Sequence, residues 1–152
     1  MKSIAIKYGL IMLAGFIGLF LLMHEVAQIR NYNLRILNGF IHIGLIYAAI
    51  NEYRKKVVEA DGTFLSGVAM GMYTSIIAVI PFAAFINIYL IADEAFMQYI
   101  ASSIPIGETY FNPFTTSIFI VVEGLAVSLI GSYIMDRALD LGRSESPVPE
   151  NQ

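Results

Sequence analysis

The hydrophobic positions of this chain fall into four long runs separated by short polar stretches, and runs of that length predict helices. The first run, about 8–23, follows a start carrying Lys2 and Lys7. After it comes Met23-His24-Glu25-Val26-Ala27-Gln28, which lacks the small-x-small pattern of a signal cleavage site. The run is therefore read as a retained membrane span. A polar connector with Arg30 and Arg35 leads to a second run at about 36–50. Fifteen residues at ~1.5 Å each reach only roughly 22 Å, short of the ~30 Å hydrocarbon core. That helix is expected to extend into its flanks, toward Tyr32 and Arg35 at one end and Tyr53 at the other.

A charged stretch, Asn51–Phe64, separates the second run from the third, and Asp61-Gly62 within it reads as a turn. The third run, about 67–92, holds Pro81 near its middle, where the missing backbone donor predicts a kink. The interval 93–113 has no lysine or arginine. Phe96, Tyr99, Ile100 and Ile104 share a helical face there, predicting a short amphipathic helix that Pro105-Ile106-Gly107 ends. The fourth run is about 114–134. The polar residues 136–152 have nothing to bury and are expected to be a disordered tail. The chain reads as one membrane domain, 1–135, plus that tail.

Composition moves this from a helical protein to a membrane protein. Of 152 residues, 57% are hydrophobic and only 14% charged, against about a quarter charged in soluble domains. The expected fold class is an all-α membrane protein, a bundle of four transmembrane helices. Charge sets its orientation. With both termini cytoplasmic, the inner side carries Lys2, Lys7, Arg54, Lys55, Lys56, Arg137 and Arg143, and the outer side only Arg30 and Arg35. The amphipathic segment between the third and fourth spans then lies outside, and Arg54, Lys55 and Lys56 form a topology anchor on the inner face. A net charge of -3 argues against nucleic acid as a partner, and the absence of cysteine excludes disulfides and thiolate metal sites.

Candidate chemistry is sparse. Glu123 falls near the middle of the fourth run, where an ionised carboxylate costs at least ~2.5 kcal/mol. It reads either as a proton or cation site or as a neutral hydrogen-bonding group that fixes packing. His42, Asn87 and Asn38 fall in the outer halves of their runs and could join it in one polar cluster. The alternative is that they bond between helices. His24-Glu25-Val26-Ala27-Gln28 lacks the second histidine of a zinc-protease helix, and no phosphate-binding loop, Gly-x-Ser-x-Gly or dinucleotide fingerprint occurs. No cofactor, metal site or enzymatic activity is expected. Small residues recur at helical spacing: Ala14 with Gly18, Gly67 with Gly71, and Gly124 with Ser128 and Ser132. Such faces let helices approach closely.

Four short motifs carry a resemblance. Lys7-Tyr8-Gly9-Leu10 opens the first span and Ile50-Asn51-Glu52-Tyr53-Arg54 closes the second. Gly62-Thr63-Phe64-Leu65-Ser66-Gly67 leads into the third, followed by Gly71, and Asn112-Pro113-Phe114-Thr115 starts the fourth. In these the chain resembles a family of small bacterial membrane proteins catalogued as domain of unknown function four-one-nine-nine. The resemblance spans most of residues 7–135, and Glu123 is not among the residues that carry it. It implies a four-span protein of the bacterial cytoplasmic (inner) membrane, and no activity, substrate or catalytic residue. Two functional expectations remain. One is a non-enzymatic accessory subunit that associates through small-residue faces, as a homo-oligomer or in a larger membrane complex. The other is a small channel or proton- or cation-linked carrier using Glu123.

Overall fold

The computed structural model describes residues 2–27, 36–56, 64–103 and 110–144. The connector arginines Arg30 and Arg35 lie outside the described residues. So do the Asp61-Gly62 turn, the Pro105-Ile106-Gly107 stop and residues 145–152. Every described element is helical: α1 Lys2–Leu21, α2 Ile36–Lys56, α3 Phe64–Ala92, α4 Glu94–Ser102 and α5 Pro113–Ser144. Three stretches are long and apolar enough to cross a membrane: Lys2–Val26, Ser66–Ala92 and Pro113–Gly142. The second helix is not among them. It has 21 residues, longer than the run that predicted it, and its polar positions Asn38, His42, Asn51 and Glu52 lower its hydropathy.

Cross-helix pairs give the direction of each helix. Lys7 on α1 meets Glu52 near the end of α2, while Arg54 meets Asp136 near the end of α5. Gly67 at the start of α3 faces the same Asp136. At the opposite end His24 meets Asp93. The four long helices therefore run up, down, up and down. The first and last ends share one pole with Arg54, Lys55 and Lys56. Helices α2 and α3 pack on each other and on both α1 and α5, so they form the middle of the bundle.

The reasons for these helices are local. On α2 the buried residues are His42, Ile46, Ala49, Ile50 and Tyr53, a stripe at helical spacing. Helix α5 opens with reciprocal caps: Thr115 N–H donates to Asn112 Oδ1, and Asn112 N–H donates to Thr115 Oγ1, both at 2.9 Å. Pro113 occupies the first turn, where its missing N–H costs nothing. Asp93 caps α4 by accepting from Phe96 N–H at 2.9 Å.

Helix α3 continues through Pro81, where the missing N–H costs one backbone donor. Two expectations change. The buried side of α4 centres on Met97, with Phe96, Ile100 and Ala101 beside it, and it packs on the bundle core, while Tyr99 is 39% exposed. The expected tail is helical as far as Ser144, because Asp136 has a buried partner to hold it.

Candidate functional site

Two polar assemblies sit at opposite poles, and a cavity occupies the space between the second pole and the bundle middle. At the pole shared by the chain's first and last helices, Arg54 spans two carboxylates on α5. Its Nε donates to Asp136 Oδ1 at 2.7 Å, and its Nη1 pairs with Asp140. Asp136 is fully buried and the Arg54 side chain is 11% exposed. Nearby, Glu52 accepts from Lys7 at 2.7 Å and from Tyr8 and Lys56 at 2.8 Å. Bonds from Lys56, Lys7 and Tyr8 hold the Glu52 carboxyl down to about 2. Arg54 is therefore engaged within the bundle and Lys56 is paired with Glu52. Lys55 stays exposed.

The small-residue positions on α3 and α5 are consumed by each other. A Cβ at Gly67 would lie 2.0 Å from Asp136 Oδ1, one at Gly71 2.1 Å from Ser132 Oγ, and one at Gly124 2.6 Å from Val79. Ser128 is fully buried against α2 and α3. Ala14 and Gly18 behave differently: both are exposed, and a Cβ at Gly18 would meet nothing within 4 Å.

In the middle of the bundle His42 Nε2 lies 3.0 Å from both Ser75 Oγ and Ser128 Oγ, joining α2, α3 and α5. Ser128 Oγ also bonds the Gly124 carbonyl, so the imidazole and the two hydroxyls form one polar chain across the three helices. The Phe16 ring meets His42 edge-on at 5.5 Å.

From His42 a cavity of about 460 Å³ extends toward α4. Its walls are mainly apolar, among them Phe16, Phe20, Phe82, Ile86, Phe96 and Phe119. Helix α5 contributes Thr116, Ile120, Glu123, Gly124 and Val127, one face whose ends stand ~16 Å apart at 1.5 Å per residue. His42 is 4% exposed whereas Phe119 is 58% exposed and Glu123 is exposed, so the cavity opens along α5 and closes on His42. No lysine or arginine lines it among the described residues.

Three buried polar atoms bordering this cavity have no hydrogen-bond partner: His24 Nδ1, Asn38 Oδ1 and Thr116 Oγ1. A buried polar atom left unpaired costs about 1–3 kcal/mol, so three on one cavity mark a place that favours a polar occupant. His24 is held in place by its surroundings. It stacks on Phe20 at 5.7 Å, lies 4.2 Å from the Phe96 ring and meets Tyr89 edge-on at 5.3 Å. Its Nε2 is 3.4 Å from Asp93. A π-helical turn, Leu22–Val26, carries it there, with Ala27 N–H donating to the Leu22 carbonyl. Such turns are frequent at functional sites. Beside it Tyr89 hydroxyl donates to Glu25.

The structure thus brings His42, Glu123 and Asn38 to one cavity and leaves Asn87 outside it. On α3 the cavity-facing stripe is Val79, Phe82 and Ile86, and the next residue is turned ~100° away by helical geometry. His24 and Thr116 were not selected by sequence reasoning. His24 had a signal in its i, i+4 spacing from Phe20, whereas Thr116 had none beyond its place in the capping sequence. Among the described residues no three histidine or acidic side chains converge as metal ligands.

No protein-family model, curated protein or solved structure matches the chain.

Proposed function

We propose that this chain is a four-span integral membrane protein that binds a small amphipathic molecule in the cavity between α1, α2, α3 and α5, without chemistry of its own. The observation that carries the reading is the convergence of three unpaired buried polar atoms on one apolar cavity of about 460 Å³. That volume lies in the ~300–1,000 Å³ range of small-molecule sites, which pair apolar walls with a few placed polar groups. Helix α2 acts as the fourth span: its apolar run, about 36–50, lies in the bilayer, and the helix continues past it so that Glu52 and the basic residues sit at the charged pole. Basic residues gathered at the pole of Arg54, Lys55 and Lys56 support a cytoplasmic position for that pole. The resemblance noted from the sequence supports a bacterial inner membrane.

Gly39 provides the test. It lines the cavity, and a Cβ there would meet nothing within 4 Å, so a larger side chain can start from this position toward the cavity space. Protein isolated from native membranes into nanodiscs is examined by native mass spectrometry. The expected result is a small molecule retained by the parent protein and absent from Gly39→Phe, with helix content unchanged. Equal retention by both proteins, or none by either, overturns the reading.

A second reading, association with a further copy, has one specific observation in its favour. Ala14 and Gly18 present a small-residue face that no described helix covers. Gly67, Gly71, Gly124, Ser128 and Ser132 do not support it, because they pack inside the bundle. If Gly18→Leu leaves the size of the purified particle unchanged, the second reading fails.

A further inference from the structure

Taking the cavity as a binding site, which this inference rests on, we propose that its ligand is a neutral lipid whose head donates hydrogen bonds: a glycerol-type diol on one apolar chain. The sense of the unmade hydrogen bonds comes first. Asn38 Oδ1 is buried, unpartnered and able only to accept. His24 Nε2 lies 3.4 Å from Asp93 Oδ2, and a carboxylate oxygen also only accepts, so the ring proton belongs on Nε2. In the neutral imidazole that leaves Nδ1 as a second unpartnered acceptor. Thr116 Oγ1, on a residue 8% exposed, can accept or donate. Two acceptors and one two-way hydroxyl call for O–H groups. A head that only accepts, such as an ester or a simple ether, would leave Asn38 and His24 unsatisfied. A vicinal diol answers all three, with one O–H for each acceptor and an oxygen lone pair for the Thr116 proton.

The placement of these atoms fits a lipid. Asn38 lies in the first turn of α2, Thr116 in that of α5, and His24 in the π-helical turn that follows α1. All three therefore stand toward the pole opposite Arg54. The deeper walls are apolar, with Phe16, Phe82 and Val127 among them. The polar group at the closed end, His42, already has Ser75 and Ser128 on its Nε2. On α5 Thr116 and Val127 stand ~16 Å apart, so a head at Thr116 has an apolar channel of that length below it. A single chain would run along that channel parallel to the helices, as lipid tails do in the bilayer around them. Phe119, 58% exposed, marks the side where the cavity opens along α5, so the chain enters sideways while its head stays near the pole. Hydrogen bonds made in such an apolar wall are stronger than the same bonds in water, which favours a head that completes them.

The test uses three probes sharing one naphthyl-alkyl chain, headed by a glycerol ether with both hydroxyls free, one methylated or both methylated. Equilibrium dialysis at about pH 8, where an ordinary imidazole is neutral, is run against the purified protein in phosphatidylcholine nanodiscs. That lipid carries no O–H or N–H donor, and empty nanodiscs are subtracted. The diol is expected to bind at least about tenfold more tightly than the dimethyl ether, with the monomethyl ether between them. Thr116→Val and Asn38→Leu should each weaken the diol roughly tenfold and leave the dimethyl ether within about twofold. Both substitutions delete an unpaired buried polar atom, so the thermal midpoint of the unliganded protein should hold or rise, whereas loss of a structural bond would lower it. Gly39→Phe should abolish binding of all three probes. Equal binding of diol and dimethyl ether, or unchanged diol affinity in both Thr116→Val and Asn38→Leu, overturns the donor assignment while leaving the cavity as a binding site. Binding that Gly39→Phe does not reduce overturns both readings, and so does the absence of binding by all three.

Discussion

Replacing Arg54 by methionine removes the positive charge that faces Asp136 and keeps most of the apolar stem. Asp136 is fully buried, sits against Gly67 where a single added carbon would lie 2.0 Å away, and has an Oδ2 with no hydrogen-bond partner. The carboxylate therefore depends on the guanidinium alone for compensation from α2. Deleting one partner of a buried pair costs about 3–5 kcal/mol, because the other is left as an unpaired buried charge. At ~1.4 kcal/mol per tenfold, that lowers the folded-to-unfolded ratio by roughly two to three and a half powers of ten. Replacing both partners has a different consequence. Arg54→Met combined with Asp136→Leu removes both buried charges, takes the Arg54 pairing only from Asp140, whose side chain is 37% exposed, and should fall within ~1 kcal/mol of the parent. Reversible unfolding in mixed micelles, titrated with sodium dodecyl sulfate and followed by circular dichroism, gives the full double-mutant cycle. The reasoning is refuted if Arg54→Met costs less than ~1 kcal/mol, or if adding Asp136→Leu recovers none of the loss.

Two further outcomes test other parts of the bundle. Gly71→Ala places a carbon 2.1 Å from Ser132 Oγ and 2.7 Å from Ser132 Cβ, so it should cost ~1–3 kcal/mol in the same unfolding assay. Adding Ser132→Gly should recover part of that, and parent-like stability of Gly71→Ala would show that α3 and α5 do not approach this closely. Glu52 yields a pH dependence: its folded carboxyl is held at about 2, below the ordinary 4.5, by Lys56, Lys7 and Tyr8. A depressed folded value stabilises the fold at pH above 4.5, and that contribution is lost as pH falls toward 2. The thermal midpoint should drop over that window in the parent and less steeply in Glu52→Gln; equal slopes would refute the assignment.

The candidate chemistry was only partly readable from the chain. Glu123 and His42 stood out because a polar residue inside an apolar run is costly unless something satisfies it. Asn87 stood out for the same reason, yet helical phase turns it away from the cavity that its neighbour Ile86 lines. His24 gave a weaker signal, because its importance depends on Asp93, Tyr89 and Phe96, which are 65 or more residues away in sequence, and on a π-helical turn that no periodicity announces. Thr116 looks like one more hydroxyl in a helix start, and only its burial beside the cavity distinguishes it.

The fold divides along the same line. Run lengths, helical spacing and caps such as Asn112 with Thr115 are local, so the sequence by itself determined an all-helical chain and where its helices lie. Charge clustering likewise marked Arg54, Lys55 and Lys56 as one pole. What those residues touch is not local. Arg54 could have faced headgroups, and only the meeting of α2 with α5 gives it Asp136, 82 positions away. That meeting also draws the expected tail into a helix as far as Ser144 and uses up the small faces of α3 and α5 inside one molecule. The cavity is the clearest case. It is space left between helices whose side chains are each unremarkable, and a void has no sequence signal of its own because it depends on how several surfaces fail to meet.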